Sequence, residues 1–468
     1  MLNELLLLMK TELLITAILF IVLFMKLSGK MKNAQLLPVI QVLLLLNLVG
    51  GFLGSAEGSL FGNMYSTNAL INVEKSILNL GVYLISLLFS SWFLKQDHLP
   101  EFFILLLSAL LGMDLLISSG NLLMFYLSLE LATIPVAAMV NFELRKSASS
   151  EAAMKMILSS AFSSGILLFG ISLIYGACGT ISFAELPLQL ETGGSLTILA
   201  FVFLVAAFAF KLSIVPFHFW TADVYEGAPM AVAAFLSVIS KGSVAFIFIT
   251  ALYKVFQPLH EVWYMMIMIL SVATMLMGNL FALRQNNIKR FLAFSSIAQV
   301  GFILVGLSSN SPQGIAAIVF FILVYVFSNL AAFGVAGVVS DASDKEGIDQ
   351  YKGLYQTNPM LSWILAIALF SLAGIPPTAG FFGKMFLITA GASAGNYIFI
   401  TIAALNMIVS LYYYLKVVRA MFMDKQETPI AKIAVHPFTQ FALYLCAAGI
   451  IVTGVFSWIY DYIVQVAQ

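Results

Sequence analysis

The stretch LTILAFVFLVAAFAFKLSIVPFHFW, residues 196–220, decides the fold class because it places one lysine inside an otherwise apolar segment. No charged residue lies between Leu196 and Lys211, and this run is long enough to reach deep into a bilayer as a helix. A charge near the bilayer centre costs roughly 3 kcal/mol or more, so such residues are rare unless they have a function. We therefore interpret 196–216 as a membrane-spanning helix with a functional lysine.

The composition extends this interpretation to the whole chain. Of the 468 residues, 61% are hydrophobic and only 9% are charged. Apolar stretches of membrane-spanning length recur from end to end, and we count about 14 of them. The connections between them are mostly short. The sequence therefore predicts an all-α membrane protein, a polytopic bundle of about 14 transmembrane helices.

The basic residues are concentrated in alternate connections, which predicts the orientation. On one side lie Lys10, Lys75 and Lys254. Because basic loops face the cytoplasm, we expect both termini on the non-cytoplasmic side of a bacterial inner membrane. The first apolar run has no small-residue cleavage site after it and should remain as a helix. The more basic, cytoplasmic side carries Lys30, Lys32, Lys95, Arg145, Lys146, Arg284, Lys289, Arg290, Lys345, Lys352, Lys425 and Lys432.

Several function classes do not fit this sequence. A net charge of zero argues against nucleic acid as a partner. Cys178 and Cys446 lie far apart, and iron–sulfur, haem c and zinc signatures are missing from the sequence. There is also no glycine-rich phosphate loop. We therefore expect no cofactor in this chain, and the driving force should come from an ion gradient or a partner subunit.

Two later helices contain interruptions, VPFH (215–218) and GIPPTAGFFGK (374–384). Proline lacks an amide donor and frees the carbonyl four residues earlier. The first interruption should therefore free the carbonyl of Leu212, and the second those of Leu372 and Ala373. Paired broken helices are typical of ion sites in transporters, although simple kinking is the alternative.

The interruptions fall in predicted helices 7 and 12, which favours two inverted five-helix repeats with one broken helix each. The N-terminal three-helix segment looks strongly apolar and should contain little buried charge. The resulting division is an N-terminal segment (1–100), a first repeat (101–255), a second repeat (256–423) and a C-terminal helix (424–468).

Four ionisable residues in apolar surroundings form the candidate site: Glu130, Lys211, Lys241 and Lys384. Lys211, at mid-helix, is expected to pair with Glu130. The lysine should keep its proton while this carboxylate is close and pass the proton on when the carboxylate moves away. Water between the four would complete a proton pathway, whereas sodium sites use several oxygen ligands. For Glu130 the structural alternatives are a carboxylate locked to a neighbouring helix or a neutral acid bonded to a hydroxyl. For Lys384 the alternative is a snorkelling side chain.

Further candidates carry weaker signals. Glu101 should start helix 4, where the helix dipole favours an acid. Asp114, near the other end of that helix, is expected to be solvated. Glu151 and Lys155 have the i,i+4 spacing of a surface ion pair. His218 beside the first interruption is either a proton relay or a hydrogen-bonded structural histidine.

Longer strings resemble a known family. FKLSIVPFHFWTADVYEGAPMAVAAFLSVISK (210–241), NIKRFLAFSSIAQVGFILVG (287–306) and SLAGIPPTAGFFGKMFL (371–387) resemble the antiporter-like subunits of respiratory complex I. Within that group, DVYEGAP (223–229) and LYYYLKVV (411–418) look like the subunit N family.

The resemblance covers roughly residues 100–425 and implies a proton-translocating membrane-arm subunit of NADH-quinone oxidoreductase. It implies that NADH, FMN, iron–sulfur clusters and quinone belong to partner subunits, with other membrane-arm subunits as neighbours. By motif, the family's proton-transfer positions correspond to Glu130, Lys211, Lys241 and Lys384, and positions that members tend to share correspond to Glu101, Glu151, Lys155 and His218.

One departure concerns Gln299 in SSIAQVGF, where many relatives have histidine. Glutamine does not titrate, so a relay through this point would need water or another group. Two other functions fit the same fold. One is a subunit of a multi-subunit cation/proton antiporter, and the other is an inert membrane scaffold.

Overall fold

The computed structural model describes residues 2–29, 31–54, 56–191, 194–426 and 429–468. Lys30, one of the basic residues used to predict the orientation, lies outside these ranges.

The chain is almost entirely helical. In its first half the helices are α1 (Leu2–Leu8), α2 (Lys10–Ser28), α3 (Asn33–Phe52), α4 (Ala69–Leu88), α5 (Ser90–Leu94), α6 (Leu99–Ile117), α7 (Leu122–Val140), α8 (Ser147–Cys178), α9 (Leu186–Leu190), α10 (Ser195–Leu212) and α11 (Phe219–Gly227). In its second half they are α12 (Met230–Phe235), α13 (Lys241–Thr250), α14 (His260–Leu283), α15 (Ile288–Leu307), α16 (Pro312–Ser343), α17 (Leu354–Thr357), α18 (Pro359–Ala373), α19 (Ala379–Ala392), α20 (Tyr397–Phe422), α21 (Pro437–Val455) and α22 (Trp458–Ala467).

A few short elements complete the chain. The strands β1 (Gly58–Leu60) and β2 (Tyr65–Thr67) form an antiparallel hairpin that pairs Gly58 with Thr67. The remaining helical turns are the π-helices Leu236–Ser240 and Ala251–Val255 and the 3-10 helices Gln257–Leu259 and Ile348–Tyr351.

Among the described residues, 13 helical segments are long and apolar enough to cross a membrane. The helices α18 and α19 are apolar but shorter, and together they fill residues 361–390, an apolar run that counts as one of the 14 predicted spans. The predicted all-α membrane bundle is confirmed. The inverted repeats and the domain boundaries stay predictions.

The chain forms two compact units, and the helix Met230–Val255 passes from one to the other. The first unit comprises Met1–Tyr83, Asp97–Trp220 and Ser240–Met266, and the second comprises Leu84–Gln96, Thr221–Ile239 and Ile267–Gln468.

Both interruptions coincide with helix ends. The helix α10 ends at Leu212 because Ser213 takes a left-handed conformation with φ of 63° and Pro216 follows. Lys211 therefore lies in the last turn of its helix, and its predicted mid-helix position is wrong. The helix α18 likewise ends at Ala373, before Gly374 with φ of 85°.

In the first unit, α6 and α7 pack in close contact through Gly112. A Cβ atom at this position would lie 2.4 Å from the backbone nitrogen of Ala132. Small residues allow such close approach of membrane helices. The contact fixes the position of α7, the helix that carries Glu130 and Thr133.

Candidate functional site

The ammonium group of Lys211 is buried among hydroxyl groups of two other helices. Its Nζ donates hydrogen bonds to Thr133 Oγ1 of α7 at 2.7 Å and to Ser160 Oγ of α8 at 3.0 Å. The lysine is only 9% exposed, so these two hydroxyls replace water as its acceptors.

Glu130 lies at the other end of the same row of hydroxyls. Its carboxylate accepts a short hydrogen bond from Ser164 Oγ. Among the described residues, no direct ion pair joins Glu130 to Lys211. The charge of Glu130 nevertheless acts electrostatically on Lys211. The hydroxyls of Thr133, Ser160 and Ser164 occupy the positions beside the two charged groups.

Helix geometry explains this arrangement. Glu130 and Thr133 are three residues apart on α7, while Ser160 and Ser164 are four apart on α8, so each pair shares one helix face. We define Glu130, Thr133, Ser160, Ser164 and Lys211 as the hydroxyl-bridged pair. Its three hydroxyl residues are not among the candidates predicted from the sequence. The signal was the string SSAFSS (159–164), which repeats serine at helical spacing inside an apolar helix.

Lys241 and His218 belong to the same unit. Lys241 is 3% exposed and begins α13 directly after the π-helix Leu236–Ser240. Single π-turns occur frequently at functional sites. His218 is 2% exposed, lies in the turn between α10 and α11, and is close enough for the charge of Lys241 to act on it.

In the second unit, Lys384 is buried beside the interruption between α18 and α19. Its Nζ donates to the carbonyl oxygens of Leu372 at 2.7 Å and Ala373 at 3.5 Å, the carbonyls that the prolines were expected to free. It also lies 4.7 Å from the centre of the Phe302 ring. Because Lys384 is 0% exposed, the snorkelling alternative is wrong.

Gln299 joins this second group. Its Nε2 donates to the same Leu372 carbonyl and to the hydroxyl of Tyr414, both at 3.0 Å. Tyr414 in turn shares a short hydrogen bond with Ser295. A glutamine and a lysine therefore bind one carbonyl oxygen, and Gln299 links Lys384 to a buried tyrosine.

Three of the weaker candidates, Glu101, Glu151 and Lys155, lie in more exposed positions. Glu101, in the first turn of α6, pairs with Lys26 at 2.7 Å and lies 3.3 Å from His98. Glu151 and Lys155 form the expected surface ion pair at 2.8 Å.

Three expectations for the first four predicted helices are wrong. Lys75 is not a loop residue but is buried in α4, 2.5 Å from the carboxylate of Glu12 in α2. Asp114 is 0% exposed rather than solvated. The segment thus contains substantial buried charge, because the partners are far apart in the sequence and meet only in the fold. Without Lys75, the less basic side retains Lys10 and Lys254, and the predicted orientation is unchanged.

Residues 119–410 match the family described as NADH:quinone oxidoreductase/Mrp antiporter, transmembrane. A relative in Phocaeicola vulgatus, named NADH-quinone oxidoreductase subunit N, is 47% identical over 428 residues, which covers 91% of this chain and 90% of the relative.

Solved structures agree with this match. A chain of respiratory complex I from Thermus thermophilus is similar with a TM-score of 0.82 and 28% identity, over 95% of this chain and 97% of that one. A chain of the Mrp complex from Dietzia sp. shares the fold with a TM-score of 0.88 and 20% identity, over 100% and 97% of the two chains. The chain therefore belongs to the NADH:quinone oxidoreductase/Mrp antiporter transmembrane family, and among its relatives it is similar to NADH-quinone oxidoreductase subunit N.

Proposed function

We propose that this chain is a proton-translocating membrane-arm subunit of NADH-quinone oxidoreductase, and that the hydroxyl-bridged pair is a proton-transfer site. The observation that supports this most directly is the environment of Lys211. Its ammonium is bound by Thr133 and Ser160, while Glu130 is bound by Ser164 one helical turn away.

Hydroxyl groups suit a lysine that changes protonation state. A serine or threonine hydroxyl accepts a hydrogen bond from the charged ammonium and can rotate to donate one to the neutral amine. Ser160 can therefore bind Lys211 in both states, whereas the Thr133 hydroxyl accepts from Lys211 and already donates its own proton to the carbonyl of Leu129 at 2.6 Å. Ser164 does the same for Glu130, since a carboxylate accepts and a carboxylic acid also donates.

The charge of Glu130 determines whether Lys211 keeps its proton. Moving one proton against about 150–200 mV requires roughly 3.5–4.5 kcal/mol. Because Glu130 and Lys211 are not in direct contact, their interaction is a longer-range electrostatic one whose strength depends on the distance between them. A movement of α7 relative to α10 that changes the distance between Glu130 and Lys211 could therefore make Lys211 release its proton.

The other lysines extend the proposal. Lys241 and His218 serve as further carriers in the first unit, and Lys384 with Gln299 forms a corresponding group in the second. The continuous row that joins all four charged residues remains a prediction. Glu101 with its ion pair, and Glu151 with Lys155, are secondary candidates because they lie at exposed ends of helices.

The proposal also covers the surroundings of the chain. It assigns NADH oxidation, FMN, iron–sulfur clusters and quinone to partner subunits, so this chain contributes no redox centre of its own. Neighbouring antiporter-like and small membrane subunits are its expected partners. The expected location is a bacterial inner membrane, with both termini on the non-cytoplasmic side.

A cation/proton antiporter subunit is the second candidate, because the likeness to the Mrp complex chain extends over the full length of this chain. That likeness is one of fold. Sodium/proton exchange by the chain in vesicles that lack the other subunits would favour this second function.

The test uses the assembled oxidoreductase in membrane vesicles, with protons translocated and NADH oxidised measured together. Lys211→Met should lower the number of protons moved per NADH while leaving NADH oxidation by the redox subunits present. The control is Lys432→Met, which changes an exposed lysine and should behave like the unmodified complex. If the assembled Lys211→Met complex pumps as well as this control, the chain acts as a scaffold and the proposal is wrong.

A further inference from the structure

A second group of ionisable side chains is buried in the first unit, near the ends where α2 and α4 begin and α6 ends. Lys75 Nζ lies 2.5 Å from Glu12 Oε1, and the Tyr65 hydroxyl lies 3.0 Å from both. Asp114 is close enough for the charges of Glu12 and Lys75 to act on it. We define these four residues as the N-terminal cluster; each is at most 2% exposed.

The charges of this cluster do not balance if every group is ionised. Glu12 and Asp114 would carry two negative charges, and Lys75 supplies one positive charge. Lys10 does not contribute a contact, because its three donors are directed at backbone carbonyls at and just after the end of α3. Glu74 adds a further buried carboxyl group, which lies within range of Lys254 as well as Lys75.

An uncompensated charge is very unfavourable in a buried site, and a carboxyl group there normally takes up a proton instead. The composition of the cluster therefore favours one proton held between Glu12 and Asp114. Two interacting carboxyl groups of this kind titrate as a pair, so the proton belongs to both.

Unsatisfied oxygen atoms point to the same place. Asn79 Nδ2, a buried donor that lacks an acceptor of good geometry, is close enough to act on Asp114. Within the described residues, Oε2 of Glu12 and both carboxylate oxygens of Asp114 have no hydrogen bond of good geometry to a protein group. The same holds for Ser118 Oγ and Thr67 Oγ1. Buried oxygen atoms normally bind a donor, either a protein group or an ordered water molecule. Their concentration around the cluster marks a site for a proton and its hydration.

A cavity of about 420 Å³ is lined by chain neighbours of Tyr65, a member of the cluster. Ser66, Thr67, Ser119 and Lys254 are among the residues that line it. Ser66 directly follows Tyr65 on β2, and Tyr65 pairs with Ser119 through a backbone bridge. This volume is sufficient for several water molecules, and the residue next to Tyr65 in the chain lines it.

We propose that the N-terminal cluster is a second proton-binding site, in which Glu12 and Asp114 share one proton beside Lys75 and exchange it with water in this cavity. The site is separate from the hydroxyl-bridged pair, and its proton occupancy does not depend on the pumping assigned to Lys211.

Infrared spectra of the assembled complex at neutral pH, without turnover, test the proposal through the stretching band of protonated carboxyl groups. Asp114→Asn and Glu12→Gln should each remove the signal of about one carboxyl group, because the remaining carboxylate then pairs with Lys75. The double variant should remove no more than either single variant. Glu57→Gln, an exposed change in the loop before β1, should leave the band unchanged.

Asp114→Glu provides a variant that keeps the carboxyl group and is the least disturbing to assembly. It should retain the band and shift its frequency, and in both this variant and the unmodified complex the band should shift on transfer to D₂O. An unchanged band in Asp114→Asn and Glu12→Gln would show that both groups are ionised and would overturn the proposal. So would a band that sodium ions lower in the unmodified complex but not in Asp114→Asn, since the cluster would then bind sodium.

Discussion

Lys384 Nζ donates a 2.7 Å hydrogen bond to the backbone carbonyl of Leu372, one residue before the end of α18. The carbonyl is available because the residues that follow, in GIPPTAG, do not continue the helix. The interruption and the buried lysine are thus two parts of one arrangement, in which the lysine binds the carbonyls that the break exposes.

Lys384→Met removes this donor and leaves the carbonyls of Leu372 and Ala373 with fewer buried partners. We expect a loss of about 1–3 kcal/mol of stability, measured by thermal unfolding of the purified complex. Lys384→Gln keeps a donor but does not titrate, so it should lose proton translocation with a smaller loss of stability. Equal stability of the two variants would contradict a structural role for this hydrogen bond.

Gln299→His places a titrating group on the Leu372 carbonyl next to Lys384. A histidine has an unperturbed pKa of about 6.5, but burial and the ammonium of Lys384 both disfavour its charged form, so it should become charged only at a clearly lower pH and then repel the lysine. Proton translocation by the variant should therefore match that of the unmodified complex at neutral pH and decrease relative to it only at acidic pH. Parallel pH profiles for the two complexes would argue against this proximity effect.

Gly112→Ala should destabilise the protein although alanine is the better helix former. The added Cβ would lie 2.4 Å from the Ala132 nitrogen, and overpacking of this kind costs about 1–3 kcal/mol. It would also displace α7 and so lower proton translocation. Gly165→Ala on α8 is the matched control, because its Cβ meets nothing within 4 Å and the change should be neutral or stabilising. If Gly165→Ala lowered the stability more than Gly112→Ala does, α6 and α7 would be free to move apart.

Glu346 forms an ion pair with Lys289 at 2.8 Å in the connection after α16. Burial alone would raise the pKa of Glu346, but the charge of Lys289 and hydrogen bonds from Lys289, Asn287 and Ser340 outweigh it and lower the pKa. The ionised carboxylate therefore stabilises the fold at neutral pH, and this contribution, on the order of 1 kcal/mol, is lost as the pH falls below about 4.5.

Glu346→Gln should remove that acid-dependent part of the stability. Thermal unfolding between neutral pH and pH 4 should show a smaller decrease for the variant than for the unmodified protein. A larger decrease in the variant would reverse the sign and refute the assignment to Glu346.

The sequence was sufficient to predict the membrane bundle and the two places where a helix is interrupted. Long apolar runs have no other stable fold in a bilayer, and the residues VPFH and GIPP stop helices by local chemistry. Lys211, Lys241 and Lys384 were identifiable for the same reason, since a lysine in an apolar run requires an explanation at that position alone.

The sequence did not show which residues of different helices contact each other. Glu12 and Lys75 are 63 positions apart, and Glu130 and Ser164 are 34 apart, so their contact depends on which helices pack together. Lys75 appeared to be a loop residue because a charge near a helix end looks solvated until its partner is known. Hydroxyl residues such as Thr133 carry little signal, because serine and threonine are common in membrane helices.

The central claim is that Glu130 and Lys211 act together across the hydroxyl groups of Thr133, Ser160 and Ser164. The most direct measurement is the number of protons translocated per NADH oxidised in the assembled complexes with Glu130→Gln, Lys211→Met and both changes. Groups that act as a unit give non-additive losses, so each single variant should lose a similar amount and the double variant no more than either. Additive losses, or unchanged translocation in Glu130→Gln with intact assembly, would contradict the claim.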